Sequence, residues 1–84
     1  MEVEYTGFIF VEKETGIHIG LVPDLNYTSS YGRDFQEAKD ALQEACELYT
    51  NGINRDVLPE VSNFDNLLEI PELPKKHVVV YIKV

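Results

Sequence analysis

Apolar and polar residues follow two different periods along this chain, and the changes of period divide it into elements. From Val3 to Lys13 the sequence VEYTGFIFVEK alternates, with Val3, Tyr5, Ile9 and Val11 on one side and Glu2, Glu4, Phe8, Phe10 and Glu12 on the other. A period of two is that of a β-strand. The second side starts polar and turns aromatic, so the middle of this strand is predicted to be covered on both faces, as in the interior of a sheet. Glu14-Thr15-Gly16 supplies a turn in which Gly16 is free to take positive φ. Residues 17–22 then form a second, antiparallel strand, with Ile17, Ile19 and Leu21 facing one way and His18, Gly20 and Val22 the other. Pro23-Asp24 ends it, because proline cannot donate to a strand ladder. Residues 27–31, with Thr28, Ser29 and Ser30 among them, have weak strand character and read as an edge.

At Asp34 the period lengthens. Phe35, Ala38, Ala41, Leu42, Ala45, Cys46, Leu48 and Tyr49 recur at the spacing of one buried helix face, which predicts a helix over residues 35–51, about 26 Å long at roughly 1.5 Å per residue. Asp34 is placed to cap it and Glu37 follows three residues on, as in a capping box. Asn51-Gly52 predicts a left-handed stop. The segment 53–76 is looser and holds Pro59, Pro71 and Pro74; Ser62, three residues before Asp65, marks a short helix over about 63–69. Residues 77–84, HVVVYIKV, give the plainest strand pattern, with Val78, Val80, Ile82 and Val84 on one face.

The element order is therefore β-β-β-α-(short α)-β, with strands at about 3–13, 17–22, 27–31 and 77–84. It predicts an α+β fold in one domain, residues 1–84. Three strands form a meander. The long helix crosses one face and returns the last strand beside the first, parallel to a strand already present, since such crossovers are right-handed. The expected sheet is four-stranded and mixed, in order 3-2-1-4, with the final strand on an edge.

Charge narrows the function. Fifteen acidic and seven basic residues leave a net charge of −8, which argues against a phosphate backbone as partner and is compatible with a basic protein. A chain of 84 residues buries only about 60–65% of its unfolded surface, so association with another copy would help it. A lone cysteine, Cys46, forms no internal disulfide, which fits a reducing compartment. No apolar run follows a basic N-terminal stretch, and none approaches the ~20 residues needed to span a bilayer. Cytoplasmic location without membrane contact is the expectation.

Two sets of residues are candidates for binding. Glu37, Asp40, Glu44 and Glu47 fall at spacings of three, four and three, forming one acidic stripe on the long helix. Like charges so placed repel by about 0.2–0.5 kcal/mol per pair, which a basic partner would relieve; the plain alternative is a solvated face. Val78, Val79, Val80, Tyr81 and Ile82 form an edge strand that is apolar on both faces and open to a second copy or a partner strand; the alternative is cover by the segment around Pro71 and Pro74. Chemistry is harder to find. His18 and His77 have no ligand-like partners at metal spacing, Cys46 sits on the apolar helix face, and Ser29, Ser30 and Ser62 lack a nucleophile elbow. Glu4 and Glu12 flank an apolar strand middle instead of clustering as a two-metal nuclease requires. No catalytic residue, metal or cofactor is expected.

Three segments in order carry a family resemblance: GIHIGLVPDL (Gly16–Leu25), SYGRDFQEAKDALQEACELY (Ser30–Tyr49) and LPEVSNFDNLLE (Leu58–Glu69). Together they resemble the HicB-like family, the antitoxin half of HicA/HicB toxin–antitoxin pairs, across nearly the whole chain. The resemblance implies a partial ribonuclease-H-like βββαβ domain without nuclease activity, which blocks a small basic toxin that cleaves messenger RNA. Where the family usually has P-G-C and G-D-T, this chain has Asn26-Tyr27-Thr28 and Gly32-Arg33-Asp34. Many members add a DNA-binding module; this chain reaches Val84 at the close of its final strand, so no direct nucleic-acid contact is expected of it. The expectation is a non-catalytic antitoxin domain that neutralises a HicA-like mRNA interferase. The alternatives are a solitary oligomerising domain with another partner and a metal-dependent nuclease.

Overall fold

The alternating runs pair into one sheet. In the computed structural model, which describes residues 2–84, β1 (Glu4–Val11), β2 (His18–Val22), β3 (Thr28–Gly32) and β4 (Val78–Lys83) lie in the order β3-β2-β1-β4. One long helix, α1 (Phe35–Asn51), packs on one face, and a single turn, α2 (Phe64–Leu67), follows it in the chain. The fold is α+β in the expected strand order, with β1 central and β3 and β4 on the edges.

The β1–β2 turn closes as its residues dictate. Gly16 takes φ 73°, its N–H donates to the Glu12 carbonyl, and the Glu12 N–H donates to the Ile17 carbonyl. Register then fixes the faces. Ile9 lies opposite Gly20, and Tyr5 and Gly7 lie opposite Ile82 and Val80. Those side chains, with Val22, Leu25, Ala38, Leu42, Cys46 and Val84, make the core between the sheet and α1.

The helix can lie this close because β2 and β3 are narrow beneath it. A Cβ on Gly32 would collide with the Ala38 backbone, and one on Gly20 would meet Ser30 Oγ at 2.6 Å and Leu42 at 3.1 Å. The buried Ser30 hydroxyl donates to the Ala38 carbonyl at 2.8 Å, tying β3 to the first turns of α1. Three hydroxyl residues that read as an edge signal thus also supply a specific bond to the helix.

The mixed sheet is corrected. β4 runs antiparallel to β1, from Glu4 opposite Lys83 to Ile9 opposite Val78, so every pairing in the sheet is antiparallel. The reason is that α1 is only half of the connection. It carries the chain from the Val11 end of the sheet to the Glu4 end, where Asn51 comes near Glu2 and Val84. After Pro59, which accepts from Tyr5 on the α1 side, the chain crosses over, and residues 64–77 return along the opposite face. Phe64 stacks near Phe8 at 6.4 Å between ring centroids, and the His77 ring meets Phe8 edge-on at 5.2 Å. β4 therefore starts at the Val11 end and runs down. The right-handed parallel rule governs a connection that crosses one face, and this one uses both.

Two helix boundaries also differ from expectation. Gly52 has φ −93°, not a left-handed value, and the helix ends in a tightened turn in which the Ile53 N–H donates to the Thr50 carbonyl at 3.0 Å. The short helix begins from Asn63, whose Oδ1 accepts from the Asp65 N–H at 2.8 Å, instead of from Ser62, and it stops at Leu67. Ser62 is engaged elsewhere.

Candidate protein-binding surfaces

α1 presents its acidic residues to solvent because Ala38, Leu42 and Cys46 are committed to the sheet, whereas Leu48, expected on the same buried face, is 70% exposed. Asp34 caps the helix, with Oδ1 accepting from the Glu37 N–H at 2.8 Å. Glu37 reaches back to the Arg33 N–H at 3.1 Å and pairs with the Arg33 guanidinium at 3.3 Å. The hydrogen bond from the Arg33 backbone, followed by that from its side chain, holds the Glu37 carboxyl below the usual carboxylate range.

All four stripe residues are exposed on one side of the helix, but they are not equivalent. Glu37 is occupied by Arg33. Asp40 accepts only a neutral amide bond, from Gln36 Nε2 at 2.9 Å, and Glu47 accepts from Gln43 Nε2 at 3.4 Å. Glu44 has no hydrogen-bond partner among the described residues. Asp40, Glu44 and Glu47 therefore form a row of negative charge that no cation of the chain neutralises among the described residues.

The edge strand divides in the same way. Val80 and Ile82 are buried in the core, Val79 is half-buried, and Val78 and Tyr81 are 50% and 58% exposed. Val3 and Val84 exchange both backbone bonds at 3.0 Å, so by alternation Val78, Val80 and Ile82 turn their backbone groups toward β1, while Val79, Tyr81 and Lys83 turn theirs outward. Gln43 of α1 folds over this edge, and its Nε2 donates to the Lys83 carbonyl at 2.7 Å. The open edge is thus confined to Val79–Tyr81, flanked by the side chains of Val78 and Tyr81.

Two of the segments that carried the family resemblance meet in space. Asp24, in VPDL, accepts from the Ser62 N–H at 2.7 Å and from the Ser62 hydroxyl at 2.5 Å. Tyr5 donates to the Pro59 carbonyl at 2.5 Å, and burial, then the Asp24 charge, raise its pKa above the usual phenol value. Nothing in the sequence spacing pairs Asp24 with Ser62, 38 residues away.

Groups with catalytic potential do not converge. His18 lies on the helix side of β2 and His77 on the opposite face, against Phe8. His18 Nδ1 is buried with no partner among the described residues. No three His, Cys, Asp or Glu side chains among them are arranged to hold a metal ion. Burial, and to a lesser degree Glu47, push the Cys46 thiol up to about 12, so it stays protonated in the core. No helix among the described residues is long and apolar enough to cross a membrane.

Comparison with protein-family models, curated proteins and solved structures yields no match to this chain. The exposed surfaces of α1 and β4 are the candidates for function. Two grooves add to them. One of about 560 Å3 is largely polar, at the end of α1 among Glu2, Glu47, Thr50, Arg55 and Lys83. The other, of about 510 Å3, lies at the start of β4 and is mostly apolar. The sequence pattern did not reveal the second, because it is built by residues 9–13 and 74–78 and exists only once β4 is antiparallel to β1.

Proposed function

We propose that this domain is a non-catalytic binding module that sequesters a small basic protein on the exposed face of α1, in the way a HicB-like antitoxin would hold a HicA-like mRNA interferase. The observation that supports this most is the row Asp40, Glu44 and Glu47, exposed on a rigid helix and left without an internal cation among the described residues. Such a row raises the local concentration of a basic partner and speeds encounter. It also fixes where that partner sits, because α1 is immobilised by Leu42, Cys46 and Ala38 beneath it.

The decisive experiment is charge reversal, Asp40→Lys with Glu44→Lys, with affinity for a HicA-like toxin measured by calorimetry at low and moderate salt. The reading requires binding to weaken at least about tenfold and its salt dependence to flatten. Unchanged affinity and unchanged salt dependence would leave the row as an ordinary solvated face.

A second copy is a further partner, at a different place. The open backbone of Val79 and Tyr81, beside the exposed Val78 and Tyr81 side chains, supports antiparallel addition of another β4. Light scattering over a concentration series should then show a dimer that Val79→Pro abolishes. A constant monomer mass would remove this reading and leave the first intact.

A further inference from the structure

The groove at the start of β4 does not share the acidic character of the rest of the surface. The β1–β4 ladder ends at Ile9 opposite Val78, yet β1 continues to Val11. Alternation from the Val3–Val84 pair turns the Val11 N–H and C=O toward β4's side, past the last ladder pair. The space beside this overhang, about 510 Å3, is walled by Ile9, Phe10, Val11, Pro74 and Val78. Val11 and Val78 are each 50% exposed.

The charge of its lining residues is one-sided, although Glu12 and Glu14 flank Lys13 in the chain. Lys13 and Lys76 line the groove, and no carboxylate is among its lining residues, although acidic residues outnumber basic ones fifteen to seven in the chain. His77 completes the wall. Its Nδ1 lies 2.8 Å from the Pro74 carbonyl and its ring rests on Phe8, so the turn leading into β4 is held in place. An apolar cleft of this size with a few convergent polar groups is the usual form of a small-molecule site, for which about 300–1,000 Å3 is typical.

We propose that this groove binds small amphipathic monocarboxylates. The apolar body lies against Phe10, Val11, Pro74 and Val78. The carboxylate sits between the Lys13 and Lys76 ammonium groups, where it also accepts from the Val11 N–H. Two cations in an otherwise acidic surface select the anion, and the apolar walls reject small hydrophilic acids. The site does not depend on how α1 is used.

The test is a titration of the isotope-labelled protein with octanoate, followed by amide chemical shifts, alongside octanamide as the uncharged match. Saturable shifts confined to residues 9–13 and 74–78, with octanamide at least about fivefold weaker, are expected. Lys13→Gln with Lys76→Gln should weaken octanoate by at least about fivefold and leave the unfolding temperature unchanged. No saturable shift by about 10 mM octanoate, equal binding of octanamide, or indifference to the double variant overturns the proposal. So do two other occupants. Groove shifts that grow with protein concentration alone assign it to a second copy. Tighter binding of an end-blocked peptide alternating glutamate and leucine assigns it to a partner protein.

Discussion

The two faces of the sheet are covered by different means. On one face, α1 lays Ala38, Leu42 and Cys46, all fully buried, over Tyr5, Ile9, Val22, Val80 and Ile82, with glycines at 7, 20 and 32 letting the helix approach. On the other, residues 53–77 contribute one buried anchor, Leu67, and the rings of Phe64 and His77 over Phe8. They are held further by a polar tie, Asp24 to Ser62, while Pro59, earlier in the segment, accepts from Tyr5 on the α1 side of the sheet. The first face is held by contact area and the second by a few anchors and bonds. A contact area cannot be released piecemeal, whereas a strap on a few ties opens without the rest unfolding.

The largest expected effect lies on the helix face. Leu42→Ala should cost about 2–5 kcal/mol, because the glycines around it leave nothing to fill the cavity. Thermal unfolding should stay a single transition at lower temperature. A loss under about 1 kcal/mol would mean the two faces are not unequal in the way described.

Asp24→Ala should cost less, about 1–2 kcal/mol, and locally. Amide exchange should quicken across residues 58–68 while α1 keeps its protection. Equal acceleration in α1 would show that the strap and the helix open together, and the contrast between the faces would fall.

Tyr27→Gly should act in the opposite direction. Asn26 and Tyr27 both take left-handed backbone angles, φ 55° and 57°, between Leu25 and β3. A bulky residue there costs roughly 1–2 kcal/mol, of which the entropy of an added glycine returns part, so a gain of up to about 1 kcal/mol is expected in urea unfolding. A destabilised Tyr27→Gly would mean that the half-exposed tyrosine ring makes contacts worth more than the strain.

The smallest effect is that of pH on the start of α1. The carboxyl of Glu37 is lowered in the folded state by the Arg33 N–H, so its contribution is present above the unfolded value, near 4.3, and is lost as pH falls through the folded one. Glu37→Gln should therefore lower the unfolding temperature slightly at neutral pH, and the gap from wild type should close as pH falls through the folded value. A gap that persists below it would assign the effect to packing instead of charge.

Much of the architecture was legible because it rests on periodicity. The switch from alternation to a 3.6-residue repeat at Asp34 located α1, and the aromatic turn of the second side at Phe8 and Phe10 identified β1 as central. The exposure of Glu37, Asp40, Glu44 and Glu47 followed from the same repeat. Four features were not legible: the direction of β4, the Asp24–Ser62 tie, the Gln43 cover on the β4 edge and the groove beside Val11. Each depends on where the patternless segment 53–77, or a long polar side chain, goes in space.

The sequence by itself determined which side chains share a face of each strand and which side of α1 carries the buried residues, because burial of apolar area acts at every second or every third to fourth position and leaves a repeating trace. Only the tertiary structure decided that the chain wraps both faces, that β4 therefore descends against β1, and that Lys13 and Lys76 flank one apolar cleft. Those outcomes depend on single contacts between residues far apart in the chain, and a single contact leaves no period to read.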